Sequence, residues 1–145
     1  MIRIVDRDYQ KITSKYGWRL LHGKPNYHNG VDLRSYDDER TKKLNIVLPC
    51  ECFWVRSSYQ HTWGWTHVFL PVASDADEIR FSHMEEMLFT KNKIYKEGDI
   101  VGQTAMTSYM IENEYPEHLH FSVWKKEKHY NPIKFFKEFK IDYKK

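Results

Sequence analysis

Apolar residues recur along this chain in short runs with a period near two, and helical periodicity is almost absent until the C-terminal end. The runs lie at 44–49 (LNIVLP), 52–59 (CFWVRSSY), 65–72 (WTHVFLPV), 78–84 (EIRFSHM), 99–105 (DIVGQTA) and 118–124 (HLHFSVW). Turn-forming or charged residues bound each, as in SDAD at 74–77 and KEGD at 96–99. This rhythm predicts a mainly β, antiparallel sheet domain. The end of the chain differs. Asn131 is a candidate N-cap, Pro132 suits the first helical position, and Ile133, Phe136 and Phe139 or Lys140 follow at helical spacing. A short C-terminal helix packed on the sheet is expected there. ITSKYGWRLL, near the start, has no clear period, and PNYHNGVDL reads as a turn at Asn29-Gly30 entering an extended segment.

A chain of 145 residues is long enough to bury a real core, and 1–145 is expected to form a single domain. The net charge is only +3, with basic and acidic residues interspersed, so nucleic acid is not an expected partner. The basic tail KIDYKK reads as a solvated end. No apolar stretch reaches transmembrane length, so no membrane partner is expected, and charges interrupt MIRIVDRDYQK where a signal peptide needs an apolar run. Cys50 and Cys52 sit at a spacing poor for a disulfide and too short for a zinc knuckle, which leaves them as small buried or half-buried residues.

Three places carry metal-type chemistry. His28 and Asp32 in HNGVD are four residues apart around a turn, which can bring both side chains to one ion. His118 and His120 fall on one face of a strand, opposite Leu119, Phe121 and Val123, and a strand holds two imidazoles rigidly toward one side. His83, in RFSHM, shares a face with Ile79 and Phe81 by alternation and by itself reads as a core-edge histidine. Together, His28, Asp32 and one histidine of the 118/120 pair make a His/His/carboxylate set. Three protein ligands leave a fourth position for water, which is the layout of a catalytic zinc. His83 and the other histidine of the pair then meet the remaining needs of metal-assisted hydrolysis, proton transfer and oxyanion stabilisation. His61 and His67 in YQHTWGWTH are weaker ligand candidates. Trp63 and Trp65 at that hairpin tip, with Tyr115, are candidates for lining a substrate groove.

At these residues the chain resembles the lysostaphin/LytM-type zinc metalloendopeptidases, a family that mostly cuts peptide bonds in bacterial peptidoglycan. The likeness runs in order along nearly the whole chain. ITSKYGWR at 12–19 is similar to the family's opening Thr-Ser-x-Phe-Gly-x-Arg, and HNGVDL at 28–33 to its His-x-Gly-x-Asp-Leu/Ile motif. FSHM at 81–84, KIYKEGDIVGQT at 93–104, HLHFSVW at 118–124 and NPIKFF at 131–136 resemble four further family elements. Carried over position by position, the resemblance implies Zn2+ held by His28, Asp32 and His120. His83 and His118 would then stand beside the attacking water as base and oxyanion stabiliser, with the division between them open. It also implies a β-sheet domain with a groove walled by loops, and a bacterial peptidoglycan peptide as partner.

The departures fall on the groove. The family's glycine-rich run before His-Leu-His is replaced by TAMTSYMIENEYPEHLHF, its Asp-Gly-x-Val turn by PCECFWV, and the segment after Asp32, RSYDDERTKK, is longer and more charged. The glycine-bridge specificity of lysostaphin therefore does not carry over. An alternative from another class is a non-catalytic module that grips wall peptides or a partner protein on the same fold. The implied place of action is the cell wall, outside the cytoplasm, reached as a monomer or as a domain of a larger protein. A bacteriophage lysin or tail-associated enzyme would reconcile that with the N-terminal sequence.

Overall fold

The computed structural model describes residues 2–7, 10–113 and 115–145. Its elements run β1 (Gln10–Ser14), β2 (Gly17–Leu21), β3 (Lys24–His28), β4 (Val31–Leu33), β5 (Ile46–Val47), β6 (Cys52–Gln60), β7 (Gly64–Pro71), β8 (Glu78–Met84), β9 (Ile94–Tyr95), β10 (Ile100–Gly102), α1 (Ser108–Asn113), β11 (Leu119–Lys125), β12 (Lys128–Tyr130), α2 (Pro132–Phe139) and β13 (Tyr143–Lys144). The mainly β, antiparallel architecture with a short C-terminal helix is as expected. A nine-stranded sheet has the order β13-β1-β4-β11-β8-β7-β6-β9, with β12 added beside β11. Its pairs are antiparallel except β1 with β13. Two smaller ladders, β2-β3 and β10-β5, flank it.

Alternation sorts the long strands into two faces. Leu33, Phe69, Ile79, Phe81, Leu119, Phe121 and Val123 are buried on one face. Phe135 and Phe136 of α2 pack over Phe121, with ring centroids 5.9 and 6.0 Å away. The helix starts as its sequence predicts, with the Asn131 side chain accepting from the Ile133 N–H at 3.1 Å. Phe136 is fully buried and Ile133 and Phe139 pack against the core half-buried, as expected, and Pro132 and Phe135 widen the apolar stripe. The opposite face carries His120, Ser122, Arg80 and Ser82, which line a concave surface.

Two irregularities depart from simple alternation. The β7/β8 register shifts between the Trp65–Met84 and His67–Phe81 pairs, and His83 adopts a left-handed φ of 64°. This bulge turns His83 away from the Ile79/Phe81 face onto the concave side and delivers Met84 to the core instead. The region without period, 12–21, forms β1 and the hairpin strand β2, and the segment before His118 contains helix α1. Neither had a clear period in the sequence, and β1 takes its register from β4 and from β13 at the far end of the chain.

Phe121 is fully buried among Phe81, Phe135 and Phe136 directly beneath the concave face. Phe121→Ala should cost about 3–5 kcal/mol, read as a lowered urea midpoint with an unchanged slope.

Candidate metal centre

Three strands bring the ligand candidates together. His28 ends β3, a bend at Asn29-Gly30 reverses the chain, and Asp32 lies at the centre of β4. In the β4/β11 ladder His120 is the direct partner of Asp32, so the two side chains stand next to each other on the concave face. All three residues are buried. His28 Nε2 lies 3.1 Å from Asp32 Oδ1 and 3.1 Å from His120 Nδ1, and His120 Nδ1 lies 3.0 Å from Asp32 Oδ1. Tetrahedral ligands with bonds of ~2.0–2.1 Å would be ~3.3 Å apart. The observed triangle matches that within a few tenths of an ångström.

The outer hydrogen bonds decide which nitrogen faces inward. His28 Nδ1 is 2.7 Å from the Lys15 carbonyl oxygen, which can only accept, so Nδ1 carries the proton and Nε2 is a lone pair. His120 Nε2 donates to Asn29 Oδ1 at 2.8 Å, so its Nδ1 is likewise a lone pair. Burial depresses the pKa of His120, against the opposing pull of Asp32. Burial opposes ionisation of Asp32, and a proton shared with the neighbouring His120 and His28 rings, where one takes a cation's place, holds the carboxyl well below its ordinary value. Two lone pairs and a carboxylate oxygen therefore converge. Only a cation, or a proton in its place, can relieve their repulsion, and the His2Asp donor set fits zinc. Gly30 permits the approach. A Cβ there would lie 2.4 Å from the Phe121 carbonyl oxygen and 2.8 Å from His120 Nε2.

The other two histidines border this triad. His118 donates from Nδ1 to the Pro116 carbonyl at 3.0 Å, which leaves Nε2 as a lone pair 3.4 Å from Asp32 Oδ1. The His83 ring meets His118 edge-on at 5.0 Å. His83 Nδ1 is buried without a hydrogen-bond partner, and burial, followed by the neighbouring imidazoles His118 and His120, lowers its pKa to about 3. Such an orphaned buried nitrogen is rare in structural roles and common where a ligand completes the bonding. Arg19 NH1 lies 3.5 Å from Asp32 Oδ2 and adds positive charge beside the ligand.

A cavity of about 440 Å³ opens over the triad. Leu20, Leu21 and Tyr27 of the β2-β3 hairpin form one wall, and Tyr109 and Tyr115 from the α1 region form the other. The walls touch where the Tyr115 ring stacks on His22 at 5.4 Å, with its hydroxyl 3.0 Å from His22 Nε2. Trp63 lines the cavity with its ring 4.7 Å from His120. Trp65 does not line it. Two residues further on, it turns to the core face with His67 and stacks on that ring at 6.4 Å. His67 is fully buried, and His61 is exposed, 3.5 Å from Glu112, so neither joins the metal centre. Arg19, Asn29, Tyr109 and the Lys15 carbonyl were not singled out from sequence. Arg19 had a signal, as the last residue of the opening motif, whereas Asn29 read only as a turn former.

The sequence matches no known family profile, and no curated protein is similar to it in sequence. Solved structures are informative. A chain of the SpoIIQ–SpoIIIAH complex, described as pore-forming, superposes with a TM-score of 0.70 at 15% identity, covering 93% of this chain and 88% of that one. The catalytic domain of prophage-encoded M23 protein EnpA from Enterococcus faecalis gives 0.63 at 17% identity, covering 91% and 95%. The catalytic domain of the antimicrobial peptidase lysostaphin from Staphylococcus simulans gives 0.61 at 17%, covering 86% and 89%. The chain has the fold of these peptidase domains. The same fold also occurs in the pore-forming complex, so the site must carry the functional argument.

Gly30→Ala should push β4 and β11 apart at the triad. The expected result is a loss of about 1–3 kcal/mol or more in stability together with weakened zinc binding, measured by denaturation and by metal analysis after dialysis. A pH effect is also expected. Burial lowers the pKa of His67, and that of His83 falls from 6.5 to about 3, so between these values the unfolded chain binds more protons than the folded one. Stability of chelator-treated protein is then complete above pH ~6.5 and falls as the pH drops below it. Urea midpoints from pH 8 to 4 should show this decline.

Proposed function

We propose that this protein is a zinc-dependent endopeptidase that hydrolyses peptide bonds in bacterial peptidoglycan, in stem peptides or cross-links. The observation that carries the proposal is the convergence of the His28, Asp32 and His120 acceptor atoms beneath a cavity that also presents two further histidines. Zinc bound there would supply a Lewis acid that polarises a scissile carbonyl and acidifies water. His118 is the base. Its Pro116 hydrogen bond fixes the tautomer, and its Nε2 lone pair points toward the ligand cluster, within reach of a proton released there. His83 lines the same cavity, its ring 5.0 Å from His118 and 6.4 Å from His120, and steadies developing negative charge on the carbonyl oxygen. Tyr115, Tyr109 and Trp63 hold the substrate chain with apolar ring faces and exclude water around it.

A wall substrate implies a place of action outside the cytoplasm, and a phage lysin or tail-borne enzyme is the delivery we favour. The likeness to a prophage-encoded domain supports that choice. The second reading, a non-catalytic binding module, is favoured by the likeness to the pore-forming complex. Against it stands the full set of three ligands and two flanking histidines. A binding module has no need of converging lone pairs and an orphaned imidazole nitrogen.

Zinc-loaded protein should cut purified peptidoglycan, and chelation should abolish the cutting. His118→Ala should keep the metal while lowering turnover by roughly 10²–10⁴-fold, whereas Asp32→Ala should lose the metal. Release of new amino termini from sacculi and metal analysis of each variant provide the readouts. Zinc-loaded wild-type protein that leaves every peptidoglycan type uncut would sink the reading.

A further inference from the structure

The 440 Å³ cavity is only half of the concave face. A second hollow of about 230 Å³ shares Asn29, Trp63 and His120 with it, so the two meet at the metal centre with Trp63 between them. Their linings are opposite in character. The first is walled by tyrosines and leucines, whereas the floor of the second is formed by the hydroxyls of Ser82, Ser122 and Thr66. At its far end stand Arg80, Arg56 and Trp124, and no carboxylate lines it.

The register fixes the distance between centre and arginines. His120 pairs with Ser82, and two residues along the strands Ser122 pairs with Arg80. Two strand residues span roughly 6.7 Å, so the arginine row lies about two extended peptide residues from the triad. The Arg80 guanidinium is held flat, 3.9 Å above the Trp124 ring. Glu78 accepts two hydrogen bonds from each arginine, from Arg80 Nε and Nη2 at 3.0 and 2.7 Å and from Arg56 Nη1 and Nη2 at 2.9 and 3.2 Å. One carboxylate shared by two guanidiniums orients them and leaves a single net positive charge facing the hollow. The donors that Glu78 leaves over, Arg80 Nη1 and Arg56 Nε, stand with that charge at the end of a hydroxyl-lined furrow and suit single hydrogen bonds to a carboxylate.

We infer that the furrow beyond Trp63 is a substrate subsite for a carboxylate about two residues from the cleaved bond, gripped by Arg80 with Arg56. A peptide would lie with an apolar or sugar-bearing flank between the tyrosines and an acidic flank along the serines. The inference rests on the peptidase reading of the same site and narrows its substrates to peptides with a free acid on that side.

The test uses the stem tetrapeptide Ala-γ-Glu-Lys-Ala with its C-terminal carboxyl amidated throughout, and compares the form whose glutamate α-carboxyl is free with the form in which that group too is amidated. Binding is measured by calorimetry on zinc-loaded His118→Ala protein, so that peptide is not consumed, and cleavage is measured on the wild type. The free acid should bind roughly tenfold tighter or more. Adding Arg80→Gln should bring the acid down to the level of the amide, and Arg80→Lys should restore part of the preference. Arg56→Gln, on the exposed rim, should reduce the preference and provides the test if Arg80→Gln does not fold. Equal affinity for the two peptides, affinity for neither, or a preference untouched by both glutamine variants overturns the subsite. A preference in zinc-loaded protein that also leaves every peptidoglycan type uncut would leave the subsite standing and remove the peptidase reading. Cleavage of both peptides at equal kcat/KM would do the reverse.

Discussion

Nε2 of His28, Nδ1 of His120 and Oδ1 of Asp32 are held within 3.0–3.1 Å of one another, and in the absence of a cation that convergence is unfavourable. Much of the surrounding architecture answers to this constraint. The β4/β11 ladder sets Asp32 and His120 opposite each other, and the bend at Asn29-Gly30 returns His28 to the same point. The Lys15 carbonyl and the Asn29 side chain point the imidazole lone pairs inward. Beneath them Phe121, with Phe135 and Phe136, makes the strand rigid enough that the repulsion does not simply spread the ligands.

The same sheet serves two solvents. Its core face is packed with phenylalanines, and its concave face carries histidines, serines and arginines under open cavities. The bulge at His83 is where the two sets exchange. A left-handed φ places an imidazole over the site and a methionine in the core, contrary to strict alternation. Backbone in that region is costly for a residue other than glycine. Hydrogen bonds on either side hold it here, from the His83 N–H to the Trp63 carbonyl and from the Ala105 N–H to the His83 carbonyl, both 2.7 Å.

The segment TAMTSYMIENEYPE, before His118, supplies one wall of the cavity over the candidate centre. Helix α1 and the following turn bring Tyr109 and Tyr115 over the triad, and Tyr115 reaches across to His22 of the β2-β3 hairpin. A glycine-lined wall suits a narrow, flexible substrate. Here the wall offers the large ring faces of Tyr109 and Tyr115.

Strand rhythm, the capped C-terminal helix and the opposite faces of Leu119 and His120 were legible in the sequence, because each depends on neighbours two to four residues away. The candidate ligand trio was legible through the ordered likeness to a family, and spacing alone left His118 and His120 interchangeable. Tertiary structure separated them: the pairing of His120 with Asp32 places one ring in the triad, while His118, just before the strand, turns to Pro116 and stays beside it. It also moved His83 to the site and Trp65 away from it, since a bulge reverses the parity on which alternation relies. Local chemistry, then, determined which residues could bind a metal or shape a groove. Which atoms meet was decided by strand register between segments as distant as 28–32 and 120, a property no short window of sequence contains.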